Sequence, residues 1–281
     1  MAVLNLTPDS FSDGGAWHRT DGTVDLAALL REAEAALSAG VDILDIGAES
    51  TRPGACEVPW QDELARLLPS FEALRAAFPA ARLSVDTRKA RVAQAVLAAG
   101  ANLVNDVSGL SYQGPGGEPE AMAELLAHTE AGYVLMHTQG PPETMQHQPT
   151  YHNVLAQVQA FLQSRTQLLL DAGVSAQKII WDPGFGFGKT VAHNLRLLAG
   201  LETLAQAGYP ILVGTSRKSF LTLGQGQPPP SQREALTSAS LALALANGAT
   251  LLRIHDWRVQ LPVVAFVKAC LENRPETAGL S

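Results

Sequence analysis

Eight short apolar runs alternate with amphipathic helical stretches from one end of this chain to the other, and few folds accept that rhythm. The strand-like runs are Ala2–Asn5, Ile43–Ile46, Leu83–Val85, Leu103–Asn105, Tyr133–Met136, Ile179–Trp181, Ile211–Val213 and Leu251–Arg253. Each is apolar on both faces, as expected of parallel strands covered on both sides. Helical patterns lie between and after them at Asp25–Ala39, Trp60–Ala77, Lys89–Ala99, Pro119–Ala127, Asn153–Ala172, Val191–Ala207, Gln232–Asn247 and Val259–Glu272. Gly40, Gly100, Gly173, Gly208 and Gly248 follow five of these helices directly, where a left-handed C-cap is needed. The alternation predicts an α/β fold, a (β/α)8 TIM barrel forming a single domain over residues 1–281. A doubly wound open sheet is the rival. It would carry a glycine-rich dinucleotide turn after its first strand, and Thr7–Pro8–Asp9–Ser10 is not one. Gln225–Pro230 reads as a solvated, proline-rich connection.

The rest of the composition narrows the function. The formal net charge is -7, with no basic stripe interleaved with aromatic residues, which argues against a nucleic-acid partner. An acidic chain that handles anions must gather its Arg and Lys locally. Two distant cysteines, Cys56 and Cys270, build neither a disulfide framework nor a zinc site and fit a reducing cytoplasm. The N-terminus lacks the basic and apolar regions of a signal peptide. The most apolar helical run, Leu236–Ala246, is too short to span a bilayer.

Almost every strand ends in a polar residue useful for binding or catalysis. Asn5 ends the first strand. Asp45 sits in the second, which leads to Glu49–Gly54, and Asp86 ends the third. Asn105 and Asp106 end the fourth, Met136 and His137 the fifth, and Asp182 the sixth. Gly214–Lys218 follow the seventh, and Arg253–His255 end the eighth. In a barrel these ends converge on one mouth, where active sites lie. A single one of them reads equally well as a helix cap, and Asp86–Thr87 is a candidate for that role. Eight caps in a row are a poor explanation.

The motifs differ in weight. Ser50–Gly54 (STRPG) taken alone reads as a surface turn. Asp182–Lys189 (DPGFGFGK) fails the phosphate-loop pattern, because Pro183 stands where the first glycine belongs. Its glycines suggest backbone lying close under a flat ligand. Gly214–Phe220 (GTSRKSF) puts Arg217 and Lys218 at a helix start, suited to anions or equally a solvated basic turn. Arg253 and His255 share one side of an extended segment, which favours a phosphate site. No histidine or cysteine spacing argues for zinc, and no nucleophile elbow argues for covalent catalysis.

The ordered set LNLTPDSFSDGG, GAESTRPGA, SVDTRK, NDVSG, LMHTQG, DPGFGFGK, GTSRKSF and RIHD resembles the dihydropteroate synthase family over nearly the whole chain. The resemblance implies a transferase of folate synthesis that joins a dihydropterin diphosphate to p-aminobenzoate, and a target of sulfonamides. It implies a pterin pocket of Asp86, Asn105, Met136, Asp182, Phe187, Gly214 and Lys218, with the diphosphate held by Asn5, Arg253, His255 and Mg2+. Asn5 is then the metal ligand, since Mg2+ keeps several waters and needs few protein ligands. The p-aminobenzoate site falls to Phe11, Thr51, Arg52, Pro53, Phe187, Lys218 and Ser219. Asp86, Lys218, Arg253 and His255 are the implied catalytic groups of a dissociative reaction. A homodimer through the late helices is also implied. A corrinoid-dependent methyltransferase would share the barrel and the pterin contacts, but needs neither the Arg253–His255 site nor the loop at Ser50–Gly54. A silent binding paralogue would have lost loop motifs that are intact here. Ala48, Thr138 and Ile254 depart from common family residues without removing a group assigned a role.

Overall fold

The computed structural model describes residues 1–7, 23–51, 54–116, 119–142, 144–226 and 228–274. Its strands are β1 Ala2–Asn5, β2 Ile43–Gly47, β3 Arg82–Asp86, β4 Leu103–Asp106, β5 Gly132–Met136, β6 Ile179–Asp182, β7 Leu212–Val213 and β8 Leu251–Leu252. They run parallel in chain order from β1 to β6, and β7 pairs with β8. Two single bridges close the ring, Trp181 to Ile211 between β6 and β7, and Ala2 to Ile254 between β1 and the end of β8. The second closure is a reciprocal pair: Val3 N donates to the Ile254 carbonyl at 2.9 Å, and Ile254 N donates to the Met1 carbonyl at 3.0 Å. The predicted barrel is therefore present, as an eight-stranded cylinder with helices outside.

The helices are α1 Leu26–Ser38, α2 Trp60–Ala77, α3 Ala90–Ala98, α4 Pro119–Ala127, α5 Val154–Asp171, α6 Val191–Ala199, α7 Leu201–Ala205, α8 Glu234–Ala246 and α9 Trp257–Glu272. Where one helix was expected over Val191–Ala207, two are found. They meet at Gly200, a weak helix former that ends one and begins the other. A 3-10 turn, Pro230–Arg233, takes the first turn expected of α8. The last helix starts two residues earlier than expected, because the Asp256 side chain accepts from Val259 N and caps it. The five glycines expected at helix ends all have φ between 87° and 103°. Asp86 caps no helix; its carboxylate takes a different partner, described below.

Side chains alternate across a strand, so a closed barrel sorts every second residue inward. The outward set includes Leu4, Ile46, Val85, Tyr133, Ile179, Trp181 and Val213, and it merges with the helices into one large core. The inward set begins as a small apolar plug of Met1, Ile43, Leu103, Val134, Ile180, Leu212 and Leu251. Two residues further along these strands stand Val3, Asp45, Asn105, Met136, Asp182, Gly214 and Arg253. The strands are thus not apolar on both faces throughout: their inner face turns polar above the plug. That switch is what builds the mouth.

Candidate active site

A cavity of about 700 Å3 opens at the C-terminal ends of the strands. Of the residues predicted for the site, Asn5, Thr51, Asp86, Phe187, Lys218, Ser219, Arg253 and His255 line it. Asn105, Met136 and Asp182 are buried below it, on the inner face of their strands, and Gly214 follows β7 directly. Phe11, Arg52 and Pro53 lie outside the described residues.

Arg253 organises the floor. Its Nε donates to Asp45 Oδ2 at 2.6 Å and its Nη2 to Asp86 Oδ2 at 2.7 Å. Asp45 also accepts from Asn105 Nδ2 at 3.3 Å. Asp45 Oδ1 and Asn105 Oδ1 are buried acceptors that have no hydrogen-bond partner among the described residues. Burial pushes the Asp86 carboxyl up against the pull of Arg253, and the charge of Asp45 adds to it, so it stands at about 7. The Arg253 guanidinium loses to burial and gains more from Asp45 and Asp86, so it is held charged. His255 is turned toward the β7 loop, where its Nδ1 lies 3.1 Å from Ser216 Oγ and its backbone N–H donates to the same oxygen at 3.2 Å.

The β6 loop forms the opposite wall. Asp182 Oδ1 accepts from Gly184 N at 2.7 Å. Burial raises its carboxyl above the ordinary range, while Lys218 and that backbone bond oppose the rise. Lys218 Nζ donates to the Phe185 carbonyl and sits 4.4 Å from the centre of the Phe187 ring. Burial pulls Lys218 down to about 8. One of the loop glycines has a reason besides the one expected, while Gly186 lines the cavity. Gly184 has φ 69°, and a Cβ there would lie 1.9 Å from the His137 carbonyl. The close approach is to the β5 loop, not to the space above.

Sequence reasoning passed over a second charged cluster beside the mouth. Lys89 is fully buried and donates to Glu49 Oε1 at 2.9 Å and Glu63 Oε2 at 2.6 Å. Arg88 adds a bond to Glu49 Oε2 at 3.1 Å. Glu49 Oε1 also accepts from Val58 N at 2.9 Å, which fastens the neck of the loop carrying Thr51. Burial raises the Glu49 carboxyl, but Lys89, Val58 N and Arg88 together bring it below its usual range. The only sequence signal for this cluster was the presence of Glu49 and Lys89 inside motifs read for other residues.

This frame and floor are those of a pterin-binding enzyme: the family model described as pterin binding enzyme matches residues 1–255. The dihydropteroate synthase of Synechocystis is 41% identical over 256 residues, 91% of this chain and 84% of that protein. The Escherichia coli K12 dihydropteroate synthase is 39% identical over 276 residues, 98% of this chain and 92% of the relative. Among solved structures, the Yersinia pestis dihydropteroate synthase in complex with a sulfonamide drug superposes with a TM-score of 0.87 at 41% identity, covering 97% of this chain and 94% of the other. The Burkholderia cenocepacia enzyme complexed with 7,8-dihydropteroate gives 0.80 at 40% identity, covering 98% and 92%. The chain belongs to the pterin-binding enzymes and, within them, to the dihydropteroate synthase family.

Lys89→Met leaves Glu63 buried without its countercharge, and the expected loss is about 3–5 kcal/mol of unfolding free energy in urea. Adding Glu63→Met should recover most of it. A loss below about 1 kcal/mol for the single variant would show that the cluster contributes little.

Proposed function

We propose that this enzyme condenses 6-hydroxymethyl-7,8-dihydropterin diphosphate with p-aminobenzoate to give 7,8-dihydropteroate and diphosphate. The observation that carries the reading is the convergence of Asp182, Asn105, Lys218 and Phe187 on one barrel mouth. A carboxylate accepts two parallel hydrogen bonds from a ring N–H and its 2-amino group, which suits Asp182. The orphan acceptor Asn105 Oδ1 is supplied with a donor by the same edge. Lys218 donates to the ring carbonyl, and Phe187 covers a flat ligand. Met136 and Gly214 complete the pocket below it.

The carbon–oxygen bond to diphosphate breaks first, and its electron pair leaves with the oxygen. Arg253, which spends two of its five donors on Asp45 and Asp86, turns the rest to the leaving group with His255. The ionised Asp86 faces the resonance-stabilised cation left at the methylene carbon. The amine of p-aminobenzoate then forms the new carbon–nitrogen bond and sheds a proton. Thr51 and Ser219 line the place for that second substrate, and sulfonamides compete there. Asn5 stands on the cavity wall, where its neutral amide oxygen would hold Mg2+. Among the described residues no three His, Cys, Asp or Glu side chains form a metal cluster. When bound, Mg2+ supplies charge neutralisation on the leaving diphosphate.

A homodimer is supported by the outer surface of the last two long helices. Leu236 and Leu243 on α8, and Val259 and Phe266 on α9, remain exposed, Phe266 by 70%. Each pair is seven residues apart and so lies along one face. Sedimentation at micromolar concentration is expected to show a dimer, and a monomer alone would reject it. The two cysteines are both free, in keeping with a cytoplasmic enzyme.

The purified protein, given both substrates, should release diphosphate and dihydropteroate in equal amounts, and only when p-aminobenzoate and Mg2+ are present. Asp182→Ala should abolish pterin binding in calorimetry with the fold intact; retained affinity would remove Asp182 from the pocket. The rate should also carry the titrations of the floor. Below about 7 a proton on Asp86 cancels the charge that faces the cation, and above about 8 Lys218 loses its charge. kcat/KM therefore rises through the first value and falls through the second. A profile flat from about pH 6 to about pH 9 would sink both assignments.

A further inference from the structure

We propose that Lys189 is a positioning residue for the pterin site, whose buried ammonium group holds the β6 loop in the shape that presents Phe187 and the Asp182 carboxylate. The inference rests on the pterin assignment above. Lys189 is 3% exposed. Its Nζ donates to the Gly184 carbonyl at 2.8 Å, the Phe187 carbonyl at 2.9 Å and His137 Nδ1 at 3.0 Å, with the His137 carbonyl a longer neighbour at 3.4 Å. Burial pulls Lys189 well below the ordinary lysine range while Asp182 opposes the fall, and three close acceptors around one nitrogen suit the ammonium form, which has three donors.

The carbonyls face inward because the loop alternates left-handed glycines, at φ 69°, 80° and 58° for residues 184, 186 and 188. The neighbouring carbonyls are taken as well: Phe185 by Lys218, Gly186 by Gln146 Nε2 at 2.5 Å and Gly188 by the Tyr151 hydroxyl at 2.9 Å. Of the two lysines here, Lys189 is the one that belongs to the loop itself, and it also lines the cavity. His137 suits the arrangement. Burial and the nearby Lys189 push its imidazole down to about 2, so it stays neutral and Nδ1 is free to accept.

Two site groups depend on this clasp. Gly184, whose carbonyl Lys189 holds, donates its N–H to Asp182 Oδ1 at 2.7 Å. Phe187, whose carbonyl Lys189 also holds, lines the cavity with its ring. Without the clasp both would sample other positions, and ligand binding would have to order them.

The test is steady-state kinetics of Lys189→Met and Lys189→Arg in the full-length enzyme, with Asp182→Asn alongside. Because the Lys189 Nζ is taken up by loop acceptors, the pterin-diphosphate KM of the Met variant should rise about tenfold or more while kcat at saturation stays within about threefold. A purely structural role would lower the active fraction and hence kcat, with KM unchanged. Arg keeps the charge but cannot aim its planar fork at three convergent acceptors, so its KM should rise too. It decides the matter if the Met variant does not fold. Unchanged KM in the variants that fold overturns the proposal. If Asp182→Asn also leaves KM unchanged, the pterin assignment has failed; if Asp182→Asn raises it and the Lys189 variants do not, only this inference has.

Discussion

One guanidinium ties three strands of the barrel together where its interior changes from apolar to charged. Arg253 leaves β8, reaches Asp45 on β2 and Asp86 at the end of β3, and does so from a position only one-fifth exposed. Two carboxylates on neighbouring strands repel each other in a low-dielectric interior, and a cation between them converts that repulsion into attraction. The residue balance of the floor depends on it. Replacing Arg253 would leave Asp45 and Asp86 facing each other above a plug of Leu, Ile and Val, an arrangement that forces protonation or distortion. Asn105, which donates to Asp45, would lose its fixed orientation along with them.

The two walls are built by different means. On one side, Glu49 is held by Lys89 and Arg88 and in turn fastens the neck of its own loop through Val58 N. On the other, the β6 loop is folded around Lys189 by its own carbonyls. In both cases a buried side-chain cation organises a loop that secondary structure cannot. Loops at a barrel mouth have no ladder to satisfy their backbone groups, and something else must. Rigid loops let the pocket meet a flat substrate without first being ordered by it.

The fold was legible because its signal is a period. The inward and outward parities of the strands, the helix faces and the caps repeat many times, so small boundary errors such as those at Gly200 and Asp256 do not accumulate. The predicted lining also follows from period: Asn5, Asp86, Asn105, Met136, Asp182, Gly214 and Arg253 are all strand-end residues of inward parity. What stayed hidden is of another kind. Lys89 with Glu63 joins residues 26 apart, and Lys189 with His137 joins residues 52 apart. No periodicity links such pairs, and each member alone reads as a solvated charge or a core histidine. The second reason for Gly184 stayed hidden for the same cause, because the His137 carbonyl that excludes a Cβ there lies on another strand's loop.

Charge balance on the floor bears on how an anionic substrate is received. Among the described residues the floor brings together the carboxylates of Asp45, Asp86 and Asp182 and the cations Lys189, Lys218 and Arg253. Lys189 is enclosed by carbonyls, and Arg253 is shared by two carboxylates, so little positive charge is left uncommitted. Deeper in the cavity wall, Arg217 is paired with Glu234 and Asp256. On the proposed reading, a diphosphate would arrive at a site whose cations are largely paired, in a protein of net charge -7. On that reading it would gain more by bringing a divalent cation than by competing for these pairs, and a neutral ligand such as the Asn5 amide would hold that cation without adding a further anion to the site. On the proposed reading, the same balance that keeps three carboxylates stable in the barrel is what makes an accompanying metal ion the economical source of countercharge.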